Sequence, residues 1–247
     1  MKPLSDFLLA LSFLSRTVPA RTADNSSLAR SLSWFSLAGI LLGLIMILPG
    51  VLGLARNYPF VQAWIVLGLG FFLTRGLHWD GWADLWDAWA SQARGDRFWE
   101  IVKDSHVGAF GAVGLILGLS GQLFLLGEVI RAEEWAVIVW AVALGRFGAV
   151  ALACQGKGYP RPGLGQAFLS GAGRKALALN AVVLVVYAVF FVPVYLAVVS
   201  LILLGAGVFF LHGLGRKNNG INGDFLGAAI IWGELSGLLA FVLVIPA

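Results

Sequence analysis

Residues 176–215 read ALALNAVVLVVYAVFFVPVYLAVVSLILLGAGVFFLHGLG, forty positions without one Asp, Glu, Lys or Arg. As a single helix this run would extend about 60 Å, twice the roughly 30 Å hydrocarbon core of a bilayer. Pro193 stands near its middle, where a missing backbone N–H and a ring clash break a helix, so the run predicts two membrane spans joined by a tight turn. Other uncharged intervals predict five more spans: residues 31–55, 57–74, about 107–127, about 135–154 interrupted by Arg146, and about 225–244. The expected fold is all-α, a polytopic integral membrane protein with about seven transmembrane helices in one domain, 1–247. The apolar stretch at residues 7–14 is too short to cross and follows Asp6, which predicts an uncleaved N-terminal helix at the membrane interface.

Composition agrees with this reading. Of the 247 residues 59% are hydrophobic and 12% charged, about half the charged share of a soluble domain, which excludes an ordinary soluble enzyme. The 17 Phe and 10 Trp exclude a disordered chain. One cysteine, Cys154, permits neither an internal disulfide nor a Cys-rich zinc site. The net charge of +4 is scattered between apolar segments, so it reads as a topology signal and no nucleic-acid partner is expected. With a cytoplasmic N-terminus, that side receives Lys2, Arg16, Arg21, Arg30, Arg94, Arg97, Lys103, Lys157, Arg161, Arg174, Lys175, Arg216 and Lys217, and the other side only Arg56 and Arg131. Basic loops stay in the cytoplasm, which predicts functional loops that face inward.

Acidic residues are scarce, yet Asp80, Asp84, Asp87, Asp96, Glu100 and Asp104, six of the chain's 13, fall between His78 and Asp104. Asp80, Asp84 and Asp87 stand at i, i+4 and i+7, so a helix holds them within an arc of about 60°. Trp79, Trp82, Trp86 and Trp89 form a second stripe on the same helix and read as structural. Three crowded carboxylates repel one another, and a hard divalent cation keeps them ionised. Oxygen-only ligation favours Mg²⁺ or Mn²⁺ over Ca²⁺ and disfavours zinc. On spacing alone, a solvated acidic face is an equal alternative.

Other residues expected at that face suit phosphate. Gly81 permits close backbone approach, and Lys103, Asp104, Ser105 and His106 precede Gly108 and Gly111 at the start of a span, where a helix N-terminus favours anions. Arg146 and Glu234 lie inside predicted spans, where a charge costs at least about 2.5 kcal/mol. Arg146 is placed for a phosphate contact, with pairing to Glu234 or snorkelling as the alternative. The segment 215–224 supplies Arg216, Lys217, Asn218, Asn219, Asn222 and Asp224, and Asp224 either completes a metal site or caps the last helix. His78 and His106 lack the spacing of a zinc protease.

Gly76-Leu77-His78-Trp79-Asp80-Gly81-Trp82-Ala83-Asp84-Leu85-Trp86-Asp87 resembles the Gly-Leu-His-x-Asp-Gly-x-Ala-Asp-x-x-Asp signature of the cobalamin synthase, or adenosylcobinamide-GDP ribazoletransferase, family. Three further blocks match in order: Phe13-Leu14-Ser15-Arg16, then Lys103-Asp104-Ser105-His106-Val107-Gly108-Ala109-Phe110-Gly111, then Asn222-Gly223-Asp224-Phe225-Leu226-Gly227-Ala228 with Glu234 beyond it. Ala88 stands where that family usually has Gly, His106 where Arg is common and Asn222 where Thr is common.

The resemblance implies a Mg²⁺-dependent multi-pass transferase of the bacterial inner membrane, with its active site facing the cytoplasm. Its substrates would be adenosylcobinamide-GDP and α-ribazole or its phosphate, and its products adenosylcobalamin or its phosphate, with GMP. In that scheme Asp80, Asp84 and Asp87 hold Mg²⁺, while Asp104 or Asp224 adds a ligand or takes the hydroxyl proton. Lys103, Arg146 and Arg216 neutralise phosphate, and His78, Gly81, Ser105, His106 and Asn222 line the substrate. Partners are those substrates and the lipid bilayer; the small-residue faces, Gly39 with Gly43 and Gly114 with Gly118, allow association with a second copy or with other cobalamin-assembly enzymes. The competing readings are a CDP-alcohol phosphotransferase, whose helix also carries spaced aspartates, and a cation transporter, whose charges would instead sit near the midplane.

Overall fold

The computed structural model describes residues 3–244. The helices are α1 (Pro3–Leu14), α2 (Asn25–Ser31), α3 (Phe35–Val51), α4 (Pro59–Thr74), α5 (Leu77–Ala90), α6 (Asp96–Val102), α7 (Ala109–Arg131), α8 (Trp135–Gly156), α9 (Leu164–Gly171), α10 (Arg174–Phe191), α11 (Val194–Lys217) and α12 (Gly223–Val244). A short 3₁₀ turn, Leu32–Trp34, joins α2 to α3. Among the described residues there is no sheet, only one isolated bridge between Pro160 and Ile221.

Six stretches are long and apolar enough to cross a membrane: Asn25–Val51, Ala109–Arg131, Trp135–Gly156, Arg174–Phe191, Val194–Lys217 and Gly223–Val244. The seventh expected crossing is α4, which qualifies only together with α5, and α5 is bent 92° away from it. The bend follows from two consecutive left-handed residues, Arg75 (φ 60°) and Gly76 (φ 68°). Gly76 adopts this conformation freely, and the Arg75 guanidinium is anchored by a 3.1 Å bond to the Phe13 carbonyl. The stretch from His78 to Asp104 therefore begins with a helix of its own, α5, set steeply against α4 and followed by the short α6. As anticipated, the long uncharged run breaks at Pro193.

α8 is buried nearly all round and is correspondingly apolar on every side. Its neighbours approach backbone to backbone. A methyl group on Gly39 would lie 2.7 Å from Ala143 Cα and one on Gly43 2.8 Å from Val139 Cα, which seats α3 on α8. On the opposite side a methyl on Gly233 would lie 2.6 Å from Gly145 Cα and one on Gly237 2.8 Å from Ala141 Cα, which seats α12. In lipid such close van der Waals packing is a principal source of helix association. α10 and α11 instead turn Val185, Val189, Phe190, Ile202 and Phe209 outward.

The two ends of the bundle separate as the charge pattern predicts. Arg56 and Glu133 meet at one end, 3.9 Å apart. At the other, Trp99 of α6 donates to the Asn218 carbonyl (2.7 Å), Arg161 lies over the Trp99 ring (4.5 Å) and the Arg16 N–H bonds the Leu73 carbonyl (2.8 Å). The segments expected on the basic side therefore share one end. α1 is drawn onto that end, with Leu9, Ala10, Leu11 and Leu14 buried and Asp6 paired to Arg30 at 3.3 Å.

Candidate active site

α5 is a two-sided helix. Its indoles settle on the glycines of α7: Trp82 Nε1 donates to the Gly114 carbonyl (2.9 Å), and methyl groups on Gly114 and Gly118 would collide with Trp86 and Trp79. The small-residue pair of α7 thus accepts aromatic rings rather than another helix backbone. Along the other stripe the carboxylates grade inward, Asp80 exposed, Asp84 half-buried and Asp87 buried.

α5 crosses the start of α12 at Gly81, where an added Cβ would stand 2.7 Å from Asp224 Cα. Only glycine permits that crossing, and it brings a carboxylate from residue 224 to those of residues 80 and 84. Asp84 counts Asp224, Asp80 and Asp87 as its charged neighbours, and Asp224 counts Asp80. Burial and like charge both work against ionisation of Asp84, and a cation removes that penalty. Asn222 caps α12 through its Oδ1 (3.4 Å from the Phe225 N–H), and its Nδ2 donates to Asp224 Oδ2 (2.6 Å). The capping function considered for Asp224 belongs to Asn222.

Asp87 departs from the expected set. Its two oxygens accept the Gly108 and Gly111 N–H groups, each at 2.8 Å, so it closes the N-terminus of α7. Asp104 departs too. It is 56% exposed and accepts from the His106 N–H (3.0 Å) and faces His106 Nδ1 (2.7 Å), which holds its carboxyl below the usual value. Among the described residues, no group of three or more His, Cys, Asp or Glu side chains stands ready to enclose a metal. The four-aspartate cage of Asp80, Asp84, Asp87 and Asp104 is therefore not formed, because α7 claims one member and a local turn another. What remains, Asp80, Asp84 and Asp224, still suits Mg²⁺, which commonly takes one or two carboxylates and fills its other positions with water and phosphate.

Of the expected phosphate ligands, Lys103, Ser105 and His106 are exposed between α6 and α7, and Arg216 is exposed in the last turn of α11. His78 is buried. Arg146 is 1% exposed inside the bundle and ion-paired with Glu234, so the phosphate contact expected of it is replaced by the pairing alternative.

Beside the acidic cluster opens a cavity of about 780 Å³, bounded by α1, residues 20–23, α9 and the starts of α5 and α12. Asp224, Asn222 and His78 line it together with Arg21, Arg75 and Phe168. Arg21 and Arg75 were not among the expected site residues. Arg75 marks the end of an uncharged run and Arg21 lies in a loop, so in the sequence both read as boundary charges. α9 closes onto the site where Gly165 meets the Gly223 amide, 2.5 Å from an added Cβ.

The sequence pattern of cobalamin-5-phosphate synthase matches residues 6–242. An adenosylcobinamide-GDP ribazoletransferase of Nitratidesulfovibrio vulgaris strain DP4 is 43% identical over 233 residues, covering 94% of this chain and 95% of that protein. Proteins of the same name from Chlorobaculum parvum (36% over 231 residues, 91% and 90% covered) and Geotalea daltonii (33% over 244 residues, 96% of each) are similar along their lengths. No solved structure matches. With the signature carboxylates together on α5 and the match running almost end to end, the chain belongs to the cobalamin-5-phosphate synthase family.

Proposed function

We infer that this chain is an adenosylcobinamide-GDP ribazoletransferase, a membrane transferase that joins adenosylcobinamide-GDP to α-ribazole or its phosphate and releases GMP. The observation that carries this reading is identity of 43% across 94% of the chain to a protein of that name. The geometry supports it: carboxylates without a cationic partner beside a cavity lined by two arginines suit a diphosphate substrate.

In this reaction a ribose hydroxyl oxygen bonds to the phosphorus on the corrinoid side, the bond from that phosphorus to the GMP oxygen breaks, and the hydroxyl gives up its proton. Asp224 Oδ1, the oxygen that Asn222 does not engage, is the proposed proton acceptor. Arg21 and Arg75 neutralise the phosphates and orient them towards α5. Asp80 and Asp84 would hold Mg²⁺, which when bound supplies charge neutralisation on the diphosphate. Gly81 fixes the spacing between Asp84 and Asp224. The clustering of basic loops at this end supports an inner-membrane location with the site facing the cytoplasm.

The test is GMP release by the purified full-length protein in liposomes. Release is expected only with both substrates present and only with Mg²⁺. CMP release from a CDP-alcohol donor, with no GMP from the corrinoid donor, would replace this reading with the phosphotransferase one. Cation flux without turnover would favour a transporter.

A further inference from the structure

Behind the acidic cluster lies a second polar group that the reaction does not use. Gln122 of α7 donates through Nε2 to Glu234 Oε2 of α12 (2.8 Å), and Arg146 of α8 pairs through Nη1 with Glu234 Oε1 and donates to the Val142 carbonyl (3.1 Å). Each partner keeps one buried polar atom unmatched, Gln122 Oε1 and Arg146 Nε, and so does His78 of α5 at Nε2. These three residues and Glu234 line one small cavity of about 20 Å³.

The chemistry of the three atoms selects the occupant. Arg146 Nε–H can only donate, Gln122 Oε1 can only accept, and a neutral His78 accepts at Nε2 when its proton is on Nδ1. A small cation would face the guanidinium, and an anion would face Gln122 Oε1 and Glu234. Water alone accepts once and donates twice, and a cavity needs about 10–15 Å³ to hold one. We propose that one ordered water sits here, accepting from Arg146 Nε and donating to Gln122 Oε1 and His78 Nε2, and that it ties α5 to α7 and α8.

The consequence reaches the site through His78, which also lines the 780 Å³ cavity and stands just before Asp80. Gln122 and Arg146 are thereby positioning residues, fixing α5 so that Asp80 and Asp84 face Asp224. The water stands independently of the reaction assigned above; its effect on turnover rests on that assignment.

A density map of the full-length protein in lipid nanodiscs, at a resolution that shows ordered waters, is expected to place a peak within hydrogen-bond distance of all three atoms. A map that shows other buried waters but none here overturns the proposal. In GMP-release assays Gln122→Leu should lower kcat about tenfold, the scale of losing an outer-shell partner, with KM for adenosylcobinamide-GDP within about twofold. Gln122→Asn, which keeps the amide, should restore most of that loss. Equal losses in both variants, or none in Gln122→Leu, would remove the positioning role. If Gln122→Leu does not fold, the map and the Asn variant decide.

Discussion

Two regions of this bundle gather ionisable side chains, and they are built on opposite rules. Inside, Arg146 and Glu234 cancel one another and Gln122 completes the carboxylate. At the membrane face, Asp80, Asp84 and Asp224 crowd together, and none of the ion pairs among the described residues includes any of them. A neutral pair in the interior is explained by the cost of burying a lone charge. Three neighbouring carboxylates without an ion-pair partner are not explained by folding, and they point to a ligand of the other sign.

The contrast can be broken from either side. The largest effect is expected in the interior: Arg146→Leu leaves Glu234 buried and uncompensated and should cost about 3–5 kcal/mol, read as a fall in thermal unfolding temperature in micelles. Replacing both Arg146 and Glu234 by Leu should recover much of the loss; failure to do so would show that the pair is more than a mutual neutralisation. At the face, Asp84→Asn should reduce GMP release about 10²–10³-fold, the scale of several kcal/mol of lost transition-state stabilisation. It should leave stability equal or higher, because a like charge has gone. A stable variant with full turnover at limiting Mg²⁺ would end the cation assignment.

Smaller effects sharpen the boundary between the regions. Gly81→Ala pushes a methyl group into the Asp224 backbone and should cost about 1–3 kcal/mol as overpacking, with a higher Mg²⁺ requirement in the same assay. Asp87→Asn loses one acceptor at the α7 terminus, expected at about 1 kcal/mol, and should leave that requirement unchanged. Asp104→Asn should leave kcat within about twofold, since its carboxylate bonds only the neighbouring His106. A large loss there would return Asp104 to the site.

The spans were legible because hydrocarbon imposes a length on uncharged runs, and Pro193 announces its own break. The helical spacing of Asp80, Asp84 and Asp87 was legible as well. Which of the three stays free was not, because helical periodicity gives a face and not a neighbour: the N–H groups of Gly108 and Gly111, more than twenty positions away, decide the fate of Asp87. The reverse holds for Asp224. Its sequence surroundings left a metal ligand and a cap both open, and the crossing at Gly81 delivers it to the cluster while Asn222 does the capping. For Arg146 the cost of a charge in a span flagged an exception but could not tell a ligand from a partner.

The encounter of Asp224 with α5 also has a temporal meaning. Translation produces α5 well before α12, with more than a hundred residues between them. Until that segment is inserted, the nascent polypeptide holds only part of its carboxylate cluster. On the roles proposed above, a chain terminated before α12 would lack Asp224 and would be inert towards the nucleotide-activated substrate.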